Sequence, residues 1–408
     1  MTTPAKLKTQ HLAASDLRGA GRLAVDATLG LTQLVENLHH NIMRVPGPLG
    51  ATSDQPTRGI TGLVYRSIRG VTRLAGGTLD ALLGQLSALL GPAQALASPE
   101  RQAVLAALNG VLGDHLQASA NPLAITMTLW HDDRPLVLAG VEGGAADIAA
   151  DVAAGTPGFA PRPRVLLMLH GLCMNPLQWR RNGQDHGAAL AAEGGYTLLH
   201  LHYNTGLPIA RNGTLLADQL LALMQAWRVP LQEMVIIGHS MGGLVARSAC
   251  HQAQARGDGW PPLLTKLVFL GSPHQGAPLE RGGHWIDVIL GASPYTAAFA
   301  RLGKLRSAGI TDLRHGKLLD DEAAAVPLPA GVACYAVAGV LGEQTGALKG
   351  KLLGDGLVPL ASALGQHKTA ARRLHFEPGQ QWVGQGMNHL DLLDRPEVLA
   401  QLRRWLNQ

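Results

Sequence analysis

Residues 234–243 have the sequence MVIIGHSMGG and carry the strongest structural signal in the chain. Their first four residues form a continuous apolar run, which predicts a strand buried on both faces. A helical pattern runs from Met241 to Gln254, so G-x-S-x-G stands between a strand and a helix. Gly238 and Gly242 leave room for a sharp turn. Ser240 is therefore the candidate nucleophile, and the Met241 amide at the helix N-terminus is a candidate oxyanion donor.

Similar apolar runs recur on both sides of this stretch, and helical patterns such as Leu215–Trp227 lie between most of them. The runs are Val165–Leu169, Thr197–Tyr203, Lys266–Leu270 and Cys334–Ala338. This alternation predicts an α/β fold with a mostly parallel sheet and helices on both faces. Before it, Ile125–Leu129 and Leu136–Leu138 predict a hairpin, which the Pro- and Gly-rich linker 155–163 joins to the sheet.

The segment Leu169-His170-Gly171-Leu172 follows the first buried strand. A loop in this position supplies the second oxyanion N–H, which we assign to the Leu172 amide. His170 precedes the serine, whereas the order for this architecture is Ser, acid, His. We therefore expect His170 to shape the loop.

Asp355 and His389 complete a candidate triad in the required order. Asp355 lies in a glycine-flanked loop after a strand, where it would orient an imidazole, although an Asp-Gly turn is also common without any catalytic role. His389 precedes the final helix 395–406 and would accept the serine proton. His367 and His315 are rival bases. Asp391 is a rival acid, with capping of the last helix as its alternative role.

Together these motifs resemble the α/β-hydrolase superfamily, over roughly residues 120–408, and within it bacterial esterases and lipases. The sequence Gly271-Ser-Pro-His-Gln-Gly276 resembles a turn of lipase-like members, and Tyr203-Asn-Thr-Gly206 is similar to that branch, which includes proteins similar to glycosylphosphatidylinositol inositol-deacylases. The resemblance implies hydrolysis of carboxylic esters through an acyl-enzyme on Ser240, without metal or organic cofactor. It leaves the N-terminal helices unexplained.

Two regions flank or interrupt this core. Residues 1–118 show helical patterns without strands, which predicts an N-terminal helical region before a hydrolase domain at 119–408. An insertion at about 280–329 predicts a helical cap. Trp285, Tyr295 and Phe299 cluster in it and would either line an acyl pocket or form the cap's own core.

The composition argues against nucleic-acid and metal binding. Of 408 residues, 34 are Lys or Arg and 29 are Asp or Glu, so the net charge is only +5, and no dense basic run suggests nucleic-acid binding. Three scattered cysteines form neither a disulfide framework nor a zinc pattern, and His200 and His202 have no apparent third ligand.

The N-terminus lacks the apolar core of a secretion signal, and no apolar stretch is long enough to span a membrane. These features predict a cytoplasmic protein. Residues 58–73 combine four arginines and no acid with an apolar stripe. This helix would either bind the inner face of an anionic membrane or pack against neighbouring helices.

The sequence thus predicts a serine hydrolase for a small-molecule or lipid ester. Two alternatives stay open: an acyltransferase with the same triad, and a membrane-associated binding or scaffold protein with a vestigial hydrolase fold. The oligomeric state is not predicted.

Overall fold

The computed structural model describes residues 15–16, 18–26, 28–29, 73, 99–136, 160–277, 307–321, 325–342 and 354–408. These residues fall into two compact units. The first contains the described residues up to 101 together with 116–124, and the second contains 102–115 and the described residues from 125 onward.

The second unit is built on a sheet of eight strands. They are β1 (Thr128–His131), β2 (Arg134–Leu136), β3 (Arg164–Leu169), β4 (Thr197–His202), β5 (Glu233–His239), β6 (Leu264–Leu270), β7 (Ala333–Val340) and β8 (Gln381–Gln385). Their order is β8-β7-β6-β5-β3-β4-β1-β2. Strands β3 to β8 are parallel, and the hairpin β1–β2 adds an antiparallel edge next to β4.

Helices connect and cover these strands. They are α1 (Pro99–Ala118), α2 (His186–Gly194), α3 (Ile209–Ala226), α4 (Met241–Arg256), α5 (Ala308–His315), α6 (Leu360–Ala363) and α7 (Pro396–Leu406). Short 3₁₀ turns occur at Pro176–Trp179, Pro261–Leu263, Ala370–Arg372 and Asp391–Leu393, and a small two-stranded ribbon pairs Arg180–Arg181 with Gln184–Asp185.

The alternation of side chains along β3 shows how the sheet is covered. Val165 and Leu167 belong to a core that includes buried residues of α1, α3 and α4, whereas Leu166 and Met168 belong to a second core with residues of α2 and α7. All four side chains are fully buried. The predicted sheet with helices on both faces is thus confirmed, and the continuous apolar run follows from burial on both sides.

Several boundaries differ from the expected ones. The first strand begins at Thr128, three residues later than predicted, because the Ile125 N–H donates to Asn109 Oδ1 (2.9 Å) outside the strand ladder. The final helix begins at Pro396. Asp391 instead opens the separate 3₁₀ turn Asp391–Leu393, so the prediction that it caps the last helix is wrong.

The division into two compact units falls within α1, whereas the sequence places the domain boundary after residue 118, at the end of this helix. Residues 102–115 of this helix belong to the unit that contains the sheet. Ser307 Oγ donates to the Gly110 carbonyl (2.7 Å), and Asn204 Nδ2 donates to the Gly113 carbonyl (2.9 Å). The middle of α1 is therefore part of the second unit.

The first unit is helical where it is described, except at the turn after α1. Every described residue up to 118 is helical, as the N-terminal pattern predicts. Arg101 Nε donates to Asp16 Oδ2 (2.6 Å), and Asn121 Nδ2 donates to the Gly19 carbonyl (3.0 Å). None of the described helices combines the length and hydropathy that a membrane crossing requires.

Two predictions lie mostly outside the described residues. Of the basic and apolar segment 58–73, the structure describes Arg73 alone. The three cap aromatics, Trp285, Tyr295 and Phe299, also fall outside the described ranges, and of the predicted cap only residues 307–321 and 325–329 are described.

Candidate active site

Ser240 lies at the junction of β5 and α4 and has a backbone conformation that residues other than glycine rarely adopt. Its φ is 52° and its ψ is −121°. The Ser240 N–H donates to the Leu270 carbonyl of the neighbouring strand (2.8 Å), which holds this strained residue in place. The turn also requires glycine at position 242, because a Cβ there would lie only 2.4 Å from the Leu169 carbonyl oxygen. The helix thus approaches β3 as closely as a glycine allows.

Gly238 provides the first test of this turn. A Cβ at this position would lie 2.5 Å from the Gly243 nitrogen, a backbone atom that cannot rotate away. We expect Gly238→Ala to lower the free energy of unfolding by roughly 1–3 kcal/mol or more, as overpacking does. Denaturant unfolding followed by circular dichroism measures this. Gly259→Ala is the matched control, because its new methyl group would meet only the flexible Met224 side chain at 3.1 Å.

Asp355 and His389 form a buried hydrogen-bonded pair. His389 Nδ1 lies 2.7 Å from Asp355 Oδ2, and both residues are 2% exposed. The other carboxylate oxygen, Oδ1, accepts the N–H groups of Leu357 (3.0 Å) and Val358 (2.8 Å). The His389 N–H also donates to the Asp355 carbonyl (3.1 Å). Backbone and side chain together therefore fix the imidazole against the carboxylate.

A second histidine, His239, supports His389 from the elbow. Its Nε2 donates to the His389 carbonyl (3.2 Å), and the two rings lie 4.6 Å apart. Burial lowers the pKa of His239 well below its ordinary value, so this ring is neutral at pH 7. Across the site, a Cβ on Gly271 would lie 3.0 Å from the His389 ring. Sequence patterns had assigned no role to His239, since its contact joins residues 150 positions apart.

Ser240 Oγ and His389 Nε2 are both buried and have no hydrogen-bond partner among the described residues. They are the two atoms between which a proton would pass in a serine triad. Such hydrogen bonds are often long in a ligand-free enzyme and shorten when substrate binds. The lack of a described partner for these two atoms is therefore consistent with roles as nucleophile and base.

The loop after β3 passes beside the serine. A Cβ on Gly171 would lie 3.1 Å from Ser240 Cβ, so Leu172 follows directly after the point of closest approach. Leu172 is buried. Met241 is the first residue of α4, and the first N–H groups of a helix have no acceptor within the helix. Met241 thus lies at the N-terminal end of α4, and Leu172 directly follows the residue that approaches Ser240.

His170 is fully buried and stacks on Tyr203, with ring centroids 4.5 Å apart. Its Nδ1 lies 2.9 Å from the Gly171 carbonyl, and Tyr203 Oη donates to the His170 carbonyl (2.8 Å). Burial lowers the pKa of His170 to about 3, so it stays neutral. These contacts suit the expected loop-shaping role.

The rival residues make other contacts. His367 Nδ1 accepts the Thr369 N–H (3.0 Å), and His315 is the exposed last residue of α5. Asp391 Oδ2 accepts the Asn388 N–H (2.8 Å) just before His389. In the described hydrogen bonds, Asp355 is the carboxylate that His389 contacts.

The paired histidines His200 and His202, and Cys173 near the loop after β3, lie in buried surroundings. His200 and His202 pair with Trp130 and Thr128 of β1, and burial lowers the pKa of each to about 4. No group of three or more potential metal ligands occurs within the described ranges. Cys173 is buried, which raises the pKa of its thiol to about 12.

Comparison with known proteins agrees with this architecture. Residues 162–327 match the family model of the PGAP1-like alpha/beta domain. This match includes β3 to β6 and Ser240, covers less than half of the chain, and ends before Asp355 and His389. The search of curated proteins finds no significant match.

Solved structures with similar folds include two Bacillus enzymes. The mature lipase BlEst2 of Bacillus licheniformis is 18% identical, with a TM-score of 0.43, and the alignment covers 62% of this chain and 96% of that one. The naproxen esterase of Bacillus subtilis is 16% identical, with a TM-score of 0.36 and coverages of 62% and 85%. The strand order and the elbow, rather than these distant likenesses, define the fold. The chain therefore carries an α/β-hydrolase domain, of which residues 162–327 are similar to the PGAP1-like alpha/beta domain.

Proposed function

We propose that the protein is a serine hydrolase that cleaves carboxylic esters. The observation that carries the proposal is the combination of a strained Ser240 at the start of α4 with a buried Asp355–His389 pair at the same edge of the sheet. Lipases and esterases among the proteins of similar fold support an ester as substrate. An apolar acyl chain is the substrate class that the resemblance favours.

Each residue has one role in the proposed reaction. Ser240 Oγ attacks the ester carbonyl carbon while its proton passes to His389 Nε2, and the Leu172 and Met241 amides stabilise the oxyanion. Collapse of this intermediate breaks the bond to the alcohol oxygen, which takes the proton from His389. The acyl group then remains on Ser240.

Water completes the cycle by the same chemistry in reverse. His389 takes a proton from water as the water oxygen attacks the acyl carbon, and collapse releases the carboxylic acid while Ser240 Oγ recovers its proton. Asp355 keeps the His389 proton on Nδ1 and stabilises the imidazolium that forms in both halves. No redox or metal chemistry enters these steps.

Covalent labelling tests the nucleophile directly. A fluorophosphonate probe should label the full-length wild-type protein, and Ser240→Ala should abolish labelling while its circular dichroism spectrum stays unchanged. Ser272→Ala is a matched control, because Ser272 is a second buried serine without a described hydrogen-bond partner for its hydroxyl. Equal labelling of wild type and Ser240→Ala, or no labelling of wild type, would contradict the proposal, and the second result is what a vestigial fold predicts.

Nitrophenyl esters of increasing acyl length then define the substrate class. We expect turnover by wild type and none above background by Ser240→Ala. Repeating the assay with an added alcohol separates hydrolysis from acyl transfer: free acid as the main product supports hydrolysis, whereas a new ester as the main product would support the acyltransferase.

A further inference from the structure

A cavity of about 550 Å³ lies beside the loop that follows β6. Neither Ser240 nor any other member of the candidate triad lines it. Its described lining is strongly basic: Arg247, Lys317, Arg372 and Arg373 contribute positive charges, and Asp321 is the single acidic residue. Four histidines also line it, at positions 274, 315, 367 and 375.

Arg247 is the unusual member of this lining. It lies within α4, is 4% exposed, and forms no ion pair with any described residue. Its one hydrogen bond to a described residue runs from Nη1 to His274 Nδ1 (2.7 Å), and its buried Nε has no partner within the described ranges. Burial lowers the pKa of Arg247 to about 10, so the guanidinium is still charged at neutral pH.

His274 adds a second unfilled donor. Burial and the neighbouring Arg247 charge lower the pKa of His274 well below its ordinary value, so the ring is neutral. Its Nδ1 accepts from Arg247, and a neutral imidazole carries its one proton on the other nitrogen. That nitrogen, Nε2, is buried and has no partner in the part of the chain that the structure describes. The two adjacent residues therefore present N–H groups without acceptors.

Burying a charge and N–H donors without partners raises the free energy of the folded state. Buried polar groups are nearly always hydrogen-bonded, and a buried charge without a counter-charge is strongly unfavourable. Arg247 and His274 both line the cavity, so an anion bound there would lie beside the buried charge and offset its cost. The planar guanidinium suits phosphate geometry in particular, and the exposed Arg372 and Arg373 would attract a multiply charged ligand. The cavity volume exceeds the size of phosphate and leaves room for an organic group.

We propose that this cavity binds a phosphate group, free or as an organic phosphate ester, with Arg247 as its main ligand. Arg247 follows Ser240 by seven positions, which corresponds to about 10 Å along α4. The site is thus close to the candidate active site but distinct from it. The proposal holds whether or not Ser240 is catalytic.

Thermal unfolding and calorimetric titration of the full-length chain test the site. At constant ionic strength, sodium phosphate should raise the Tm in a saturable way, whereas sodium chloride and sodium acetate should not. Glycerol 3-phosphate forms the second arm: tighter binding than inorganic phosphate indicates an organic phosphate ester, and equal or weaker binding indicates free phosphate. Failure of both ligands to bind wild type would overturn the proposal.

Variants assign the binding to Arg247. Arg247→Met should weaken phosphate binding by roughly ten- to a hundredfold, the scale of one charge-assisted hydrogen bond. Arg256→Met is the matched control on the same helix, because Arg256 pairs with Asp218 and Asp258, and it should bind phosphate like wild type. Equal affinity of wild type and Arg247→Met would contradict the assignment.

Stability without ligand separates binding from a structural role. Removal of an uncompensated buried charge should leave the Tm of Arg247→Met equal to or above that of wild type in phosphate-free buffer. A lower Tm, with no response of wild type to phosphate, would show that Arg247 only supports His274. If Arg247→Met does not fold, the double variant Arg372→Ala/Arg373→Ala on the exposed rim should still weaken phosphate binding, and unchanged affinity would contradict the site.

Discussion

His389→Ala should reduce ester turnover by several orders of magnitude, approaching about 10⁶-fold, the scale on which a serine triad loses rate without its histidine. In the proposed mechanism His389 is the base for Ser240, and its Nδ1 lies 2.7 Å from the buried Asp355 Oδ2. Without the imidazole, no group would take the serine proton. Steady-state kinetics with a nitrophenyl ester measures the loss, and thermal unfolding verifies that the variant is folded.

The combination with Ser240→Ala makes this result specific. If serine and histidine act as one unit, the double variant should be no slower than either single variant. Residues that contribute independently would instead show multiplied losses. His367→Ala serves as the control, because its imidazole lies in a turn by the basic cavity, and it should retain activity near that of wild type. An equal loss in His367→Ala and His389→Ala, with both folded, would contradict the assignment of the base.

The core strands could be predicted because burial on both faces leaves a continuous apolar run. Their ends could not, because polar residues extend the ladders beyond those runs. Strand β5 runs from Glu233 to His239, although its apolar run covers only Met234–Ile237. Glu233 pairs with Arg164 of β3 in the ladder, and their side chains also form an ion pair.

Short helices with few apolar residues gave no usable pattern. Helix α2 has nine residues, two of them glycine, and buries only one large apolar side chain, Leu190. The side-chain cap from Asp185 to the Ala188 N–H fixes its start, and Gly195 in the left-handed conformation ends it. These capping signals identify a helix only when the flanking strands β3 and β4 are already known.

Some features of the candidate site are visible in the sequence, and others depend on the packing of the strands. Ten consecutive residues are enough to propose Ser240 as the nucleophile, and the order along the chain is enough to propose Asp355 and His389 as its partners. The support that His239 gives to the His389 carbonyl could not, and neither could the Arg247–His274 hydrogen bond. Both depend on side chains that approach only after the strands have packed, so no local spacing encodes them.

Asp355→Asn should lower turnover by roughly 10³–10⁴-fold while the fold is retained, and the hydrogen bonds of the carboxylate explain why. Oδ1 accepts two backbone N–H groups, from Leu357 and Val358, so an asparagine must place its oxygen there. Its NH₂ group then faces His389 Nδ1, at the position of Oδ2. Two donors cannot pair, so His389 would carry its proton on Nε2 and could not accept one from Ser240.

Kinetics and spectroscopy test this tautomer argument together. Nitrogen NMR of labelled His389 should show the Nδ1-protonated form in wild type and the Nε2-protonated form in Asp355→Asn. Asp391→Asn is the matched control, because Asp391 Oδ2 accepts the nearby backbone N–H of Asn388 (2.8 Å), and an amide oxygen can do the same. Near-normal turnover in a folded Asp355→Asn, or a comparable loss in Asp391→Asn, would remove Asp355 from the triad. A large loss confined to Asp355→Asn would tie activity to the proton position on His389, which a role in folding alone does not explain.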